Sequence, residues 1–286
     1  MRITCLVDNC VQRGSALWGA HGLSFLIETD GGNVLYDVGP ELVVLEHNLR
    51  AMGLEGAEIA ALALSHGHAD HTGALAGALA LFPDVPVYAN PGLLEPRYSV
   101  RGGELQGAGM QDESLVEQLG PRLRASREPQ EIVPGVRTTG AVCPRPFPPG
   151  ISQHHRVRRD GELVQDPYDD DMSLVLDVGE GLVLVCGCCH AGLRNTLALL
   201  RSQEARPLVA IVGGTHLMNA SEAEIEQLVE ALRTETSSRH EAELRLEGAP
   251  RLYLNHCTGE RALGVLQQAF GEQVVACPAG TVIDLG

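Results

Sequence analysis

The stretch LALSHGHADHTG, residues 62–73, limits what this chain can become more than any other. An apolar run leads directly into three histidines and an aspartate within six positions: His66, His68, Asp70 and His71. The segment IAALALS (59–65) reads as a buried strand, and TGALAGALALF (72–82), stopped by Pro83, reads as a helix. The cluster therefore falls between the carboxyl end of a strand and the start of a helix. In α/β folds that is where side chains from several strand ends converge on a ligand while the layers behind stay packed. Imidazole nitrogen and carboxylate oxygen suit zinc, manganese or iron, and a tight loop can turn alternate members toward two neighbouring ions. Surface histidines at a helix start would not explain an aspartate in the same six residues.

Strand-like and helix-like runs alternate on either side. ITCLVDN (3–9), LSFLIET (23–29) and NVLYDVG (33–39) read as strands, the last two joined by the turn DGG, and ELVVLEHNLRAMG (41–53) has helical spacing ending on a glycine. MSLVLDV (172–178) and GLVLVCG (181–187) read as a hairpin. After it come helix LRNTLALL, strand PLVAIVGG, helix SEAEIEQLVEALR, strand RLYLNH and helix RALGVLQQAF. Between about 91 and 165 the periodicity fails, with glycines in RGGELQGAG and prolines in CPRPFPPG. This stretch lacks the apolar repeat for a core of its own, so a single domain over residues 1–286 with an insertion or lid over the site is expected.

With 21 basic against 37 acidic residues, the net charge of -16 argues against nucleic acid or an anionic membrane as partner. Every basic residue is arginine, which excludes a lysine Schiff base and a phosphate-loop lysine. No run approaches the roughly 18 apolar residues of a membrane span, and a cytoplasmic location is expected. The expected partner is a small molecule, phosphorylated or not; a homo-oligomer stays open. The eight cysteines read as reduced thiols, and CGCC (Cys186, Cys188, Cys189) as core or near-site thiols rather than a separate zinc knuckle.

A two-ion site needs more donors. His190, His216 and His256 each follow an apolar strand, on the same side as the first cluster, and the DDD run at Asp169–Asp171 offers carboxylates. Taken with LWGAHGLSFLIE, LYDVG, PRYS, GCCHAGLRNT, GGTHL and NHCTG, the SHGHADH motif resembles the signature of the metallo-β-lactamase fold superfamily. Within it the chain is similar to a subgroup of methanopterin-related dihydropterin ribofuranosylaminobenzene phosphate synthases.

The resemblance implies an α/β, four-layer αββα sandwich with two divalent transition-metal ions, zinc first and manganese or iron as alternatives. It implies that His66 and His68 bind one ion and Asp70 and His71 the other, with Asp37 orienting the loop. Asp170 or His190 would complete the first site and His256 the second, and His216 would be a ligand or face the substrate. The superfamily's common third histidine and bridging aspartate are absent at the matching places.

Such a site would hydrolyse an ester or phosphoester with a metal-activated water, Asp70 and His216 serving the catalysis. Arg97 and Tyr98, His21 and the run HHRVRR (154–159) are the candidates to meet the substrate, Arg97 clamping a phosphate and Tyr98 offering a ring face. His190 is expected to be indispensable and Cys188 replaceable by serine at little cost. The alternatives are a pterin-forming synthase and a non-catalytic metal- or ligand-binding module.

Overall fold

The computed structural model describes residues 1–110, 113–179, 181–237 and 250–286. The chain begins with β1 (Arg2–Val7), β2 (Ser24–Glu28), β3 (Asn33–Tyr36), α1 (Leu42–Ala51), β4 (Ile59–Ala63), α2 (Ala69–Thr72), α3 (Leu75–Leu81) and β5 (Val87–Ala89). It continues through β6 (Arg97–Arg101), β7 (Glu104–Gly107), α4 (Glu113–Leu119), β8 (Leu123–Ala125), β9 (Glu131–Val133), β10 (Val136–Thr138), β11 (His155–Arg159) and β12 (Glu162–Gln165). The last part holds β13 (Leu174–Val178), β14 (Gly181–Cys186), α5 (Leu193–Gln203), β15 (Leu208–Gly213), α6 (Glu222–Ser237), β16 (Arg251–Leu254), α7 (Glu260–Phe270), β17 (Val274–Ala276) and β18 (Val282–Asp284). Among the described residues the strands form two seven-stranded sheets, β18-β1-β2-β3-β4-β5-β8 and β17-β16-β15-β14-β13-β10-β9, and a four-stranded sheet, β12-β11-β6-β7.

The layering follows from the two-residue period of the strands. In the first sheet Ile3, Phe25, Ile27, Val34 and Tyr36 face inward, toward Leu174, Leu176, Val183, Val185 and Val212 of the second. The residues between them face outward. Leu26, Leu35 and Leu62 pack on Leu45 and Leu49 of α1 and Leu75 and Leu79 of α3. Leu182, Leu184 and Ile211 pack on Leu197 and Leu200 of α5, Leu228 and Leu232 of α6 and Leu266 of α7. This is the αββα sandwich, and because each central strand is covered on both faces its sequence reads as an almost unbroken apolar run. No helix among the described residues is long and apolar enough to cross a membrane.

Two local features differ from the sequence reading. The helix expected over 72–82 is broken: α2 is a single turn carrying Asp70 and His71, and α3 starts afresh at Leu75. Gly73 lies at the break, pressed so closely on the carbonyls of Pro40 and Ala69 that a Cβ would collide with both. The stretch from 91 to 165 carries more order than its glycines and prolines indicate. β8, β9 and β10 extend the two main sheets, and β6, β7, β11 and β12 make the small antiparallel sheet. β7 and β12 are exposed at every residue, so the alternation that marks a half-buried strand is missing from them.

The small sheet supports the histidine loop through Arg97. Its guanidinium is 1% exposed, with Nη2 at 2.8 Å from Asp170 Oδ1 and Nε at 3.1 Å from Asp166 Oδ2. Nη1 donates to the carbonyl oxygens of Gly92 (3.0 Å) and Glu95 (3.1 Å). The second oxygen of Asp170 accepts the amide of Gly67 at 2.7 Å, between His66 and His68. A Cβ at Gly67 would stand 2.5 Å from Arg97 Nη1, so only glycine allows this approach. Replacing Arg97 by alanine strands two buried carboxylates, and a loss of about 3–5 kcal/mol in urea unfolding is expected. Arg97→Lys should restore only part of it, because one ammonium cannot span both carboxylates. An unfolding midpoint unchanged in Arg97→Ala would contradict this role.

Candidate metal centre

The loop after β4 and the ends of β14, β15 and β16 meet at one edge of the sandwich. His66, His68 and His190 bring ring nitrogens within 4.8 Å of one another, all buried. Nδ1 of His66 is engaged by the Ser65 hydroxyl at 2.8 Å, which leaves its Nε2 facing Nδ1 of His68 at 3.1 Å. Neither ring nitrogen of His190 has a hydrogen-bond partner. Burial, then the neighbouring imidazoles, holds all three well below the usual imidazole value, so they stand as neutral donors.

A second group lies against the first. Asp70, His71, Cys188 and His256 also place one ligand atom each within 4.8 Å of the others. Nε2 of His71 is 3.2 Å from Nε2 of His256 and 3.2 Å from the Cys188 sulfur; Oδ2 of Asp70 is 3.4 Å from His256 Nε2. Each ring is held from behind. His71 Nδ1 lies 2.6 Å from Asp37 Oδ2, and His256 Nδ1 lies 3.0 Å from Asn9 Oδ1 while its backbone amide donates to Asp8. Both rings therefore turn Nε2 inward. Burial opposes charge on His71, yet Asp37 and Asp70 override it and hold its pKa up at about 9. Burial likewise opposes the Asp70 carboxylate, but His71 and His256 keep it well below the usual carboxylate range. The pocket is built to favour positive charge at this point.

A third set, Cys188, His216 and Cys257, adjoins these two. The His216 ring is 4.2 Å from that of His190, and its amide donates to the Cys257 sulfur at 3.2 Å. Burial works against a charged His216, but the Cys257 thiol and then Asp171 and Asp70 raise its pKa above the ordinary value. Asp37, Tyr168, Cys189, His216 and His256 all adopt φ between 49° and 58°. Left-handed backbone at non-glycine residues costs about 1–3 kcal/mol each and gathers where a site over-determines the chain.

The structure brings His66, His68, Asp70, His71, His190 and His256 together, with Asp37 behind His71 as the orienting carboxylate. His21 stands at the rim, its side chain two-thirds exposed and its Nε2 3.5 Å from Asp70 Oδ2. Three expectations require correction. Asp170 joins neither ligand group, because both its oxygens are taken by Arg97 and the Gly67 amide. Arg97 is committed to Asp166 and Asp170 and presents no edge to a phosphate. Tyr98 projects from the opposite face of β6, under the guanidinium of Arg158.

Cys188, expected to be dispensable, lies in the second group. β14 has ended at Cys186, and the bend that follows, with Cys189 left-handed at φ 58°, breaks strand alternation, so that Cys188 faces the second group while Cys189 turns into the core against α5. The sequence reading also passed over His155 as part of a basic run. Its ring is 4.6 Å from His68, and its Nδ1 lies 2.9 Å from the hydroxyl of Tyr168, which stacks on His190 at 4.1 Å. The only sequence signal was its place in HHRVRR, where alternation on β11 sends His155 inward and Arg156 out.

The residues fit divalent metal: buried ring nitrogens without partners, inward lone pairs fixed from behind, and a carboxylate and a thiol beside them.

Comparisons with known proteins bear on the family and the fold. A family model described as the metallo-beta-lactamase superfamily matches residues 17–188. The chain is 26% identical, over 99% of its length and 96% of the relative's, to the 7,8-dihydropterin-6-methyl-4-(beta-D-ribofuranosyl)-aminobenzene-5'-phosphate synthase of Methanocaldococcus jannaschii. It is 27% identical to an uncharacterized protein of the same organism, covering 93% of this chain and 94% of that one. Among solved structures it is similar to a metal-dependent hydrolase of the beta-lactamase superfamily, with a TM-score of 0.79 and 27% identity over 100% of this chain and 99% of that one. Zinc-bound PqqB from Methylobacterium extorquens shares the fold at a TM-score of 0.55 and 16% identity, with both chains fully covered. The motif-bearing loop, the paired sheets and the matched family model lead to one assignment: the chain belongs to the metallo-beta-lactamase superfamily.

Proposed function

We propose that the protein is a binuclear metal-dependent hydrolase acting on an ester or phosphoester of a small molecule. The observation that carries this reading is the pair of adjoining ligand groups, His66, His68 and His190 beside Asp70, His71, Cys188 and His256. Two ions held there would polarise a substrate oxygen and bring a water's pKa toward neutrality.

The chain's own residues supply the rest. Asp37 fixes the His71 tautomer with the proton on Nδ1, and Asn9 does the same for His256. His216 and His155 flank the first group, at His190 and at His68; His216, raised by the Cys257 thiol, can hand a proton to a leaving group, while burial lowers His155 and suits it to accept one. The Tyr168 hydroxyl accepts the Ser152 amide, which leaves its own proton for His155 Nδ1 and directs the other ring nitrogen away from it. Asp70, shared in contact with His71, His256 and His21, is the carboxylate nearest both groups.

A second reading, a pterin-forming synthase, is favoured by the full-length similarity to a protein of that name. A panel of 4-nitrophenyl phosphate, bis(4-nitrophenyl) phosphate and 4-nitrophenyl acetate, assayed with zinc, manganese and iron, separates the two. Turnover that disappears on chelation and returns with metal supports the hydrolase. Metal bound without turnover of any ester moves the assignment to the synthase.

Protein purified without chelator is expected to hold close to two ions per chain, and His68→Ala and His256→Ala should each lose about one with the fold retained. That retention follows because the sandwich, not the metals, buries most of the apolar surface. Metal analysis with circular dichroism checks both parts, and a chain that binds no ion after supplementation would remove the reading. Cys188→Ser should release about one zinc to a chelator concentration that the unaltered protein withstands, since a hydroxyl is a far poorer ligand than a thiolate. Equal retention in both proteins would place the thiol outside the coordination shell.

A further inference from the structure

Arg97 being committed elsewhere, the cation that meets a substrate must lie elsewhere. Beside the metal centre is a cavity of about 460 Å³, walled by the loop 148–154, the start of α5, the loop after β15 and one face of α6. Its size is that of a small-molecule site. Leu193, Leu217 and Leu228 give it an apolar side, and His216 stands at the end nearest the ligand groups. The loop wall is packed directly on that centre: the Gly150 amide donates to the His190 carbonyl, and a Cβ at Gly150 would lie 3.0 Å from His216 Cδ2. A molecule filling the cavity therefore touches His216, the residue that joins this wall to the centre.

Arg194 lines the same cavity. Arg97, Arg137, Arg159 and Arg206 each face a carboxylate at 2.6 to 3.1 Å. Arg194 forms none of the ion pairs found among the described residues. It is nonetheless fixed: its guanidinium carbon lies 4.0 Å from the centre of the Phe147 ring, and Nη1 donates to Gln227 Oε1 at 2.9 Å. Its Nε is buried and has no partner. The one carboxylate on the wall, Glu224, is turned to the start of α6, where it accepts the amide and hydroxyl of Ser221, each at 2.7 Å. A cation held by stacking on the cavity wall, with no carboxylate paired to it among the described residues, is set for an oxyanion.

We propose that this cavity seats the substrate, and that the substrate is an organic oxyanion with an apolar or aromatic body. The body lies on Leu193, Leu217 and Leu228, the anionic group on the guanidinium of Arg194, and the reacting end at His216. The proposal rests on the hydrolase reading only for the identity of the reacting end; the cavity and its arginine stand on their own geometry. Phosphate and carboxylate share the chemistry that Arg194 recognises, and the experiment distinguishes them.

Phenyl phosphate, benzoate and phenol are titrated calorimetrically into the metal-loaded protein, into Arg194→Ala and Arg194→Gln, and into Arg13→Ala, which removes an exposed arginine that does not line the cavity. Thermal unfolding and metal content of each variant show that fold and centre are intact. Loss of a hydrogen-bonded charge should weaken the recognised anion about tenfold or more in both Arg194 variants, with phenol and Arg13→Ala unaffected. A loss confined to phenyl phosphate assigns a phosphate, and one confined to benzoate a carboxylate. Anion binding that is equal in the Arg194 variants and the unaltered protein, or absent from both, overturns the proposal. Arg194-dependent binding to a chain that retains no metal would leave the cavity standing and bring down the hydrolase reading; two bound ions with no Arg194 dependence would do the reverse.

Discussion

A single buried carboxylate organises the centre. Asp37 follows β3 directly, is fully buried, and accepts three bonds: the Ser65 amide at 2.7 Å, the Ser65 hydroxyl at 2.7 Å and His71 Nδ1 at 2.6 Å. A buried charge is tolerable only when it is met on every side, so the loop must close over it in one conformation. That closure orients His71, and through Ser65 it reaches His66 as well. From below, Asp170 grips the next amide along, that of Gly67. The loop is thus held between two carboxylates that belong to none of the candidate ligand groups, and its donor atoms are positioned by the protein itself.

The chain illustrates which kinds of structure a sequence displays. The central strands were legible because they are covered on both faces, so Ile59–Leu64 or Leu182–Cys186 can hardly be read otherwise. The two outer strands of the small sheet were not, since solvent on every residue of Glu162–Gln165 erases the pattern. At the site, His66, His68, Asp70 and His71 announced themselves by density. The distant histidines at 190 and 256 did so by following apolar strands. Asp170 misled because an acidic run says nothing about which carboxylate is already matched by an arginine 73 positions earlier. His155 and Cys188 were missed for different reasons, one hidden in a basic run, the other in a bend after β14 where strand alternation no longer applies.

Electrostatics divide the molecule into two scales. Over its whole surface the chain is strongly acidic, which disfavours anions at long range. Within a few ångströms the balance reverses by placement. Most arginines near the centre are spent on carboxylates and serve the architecture, while Arg194 is kept from them by Phe147 and Gln227. Selection of an anion then depends on a local contact rather than on the overall field, and encounter should gain from higher salt rather than suffer from it.

The hold on His256 carries a consequence for biosynthesis. Its backbone amide reaches Asp8 and its ring reaches Asn9, partners nearly 250 positions upstream, while His71 and Cys188 come from two separate stretches between them. A nascent polypeptide emerging from the ribosome can present the SHGHADH loop early, but the second ligand group does not exist until the last strands have docked beside the first. An ion held by that group would therefore be taken up only by a folded scaffold, and competition among metals would be decided by fixed geometry rather than by a flexible chain.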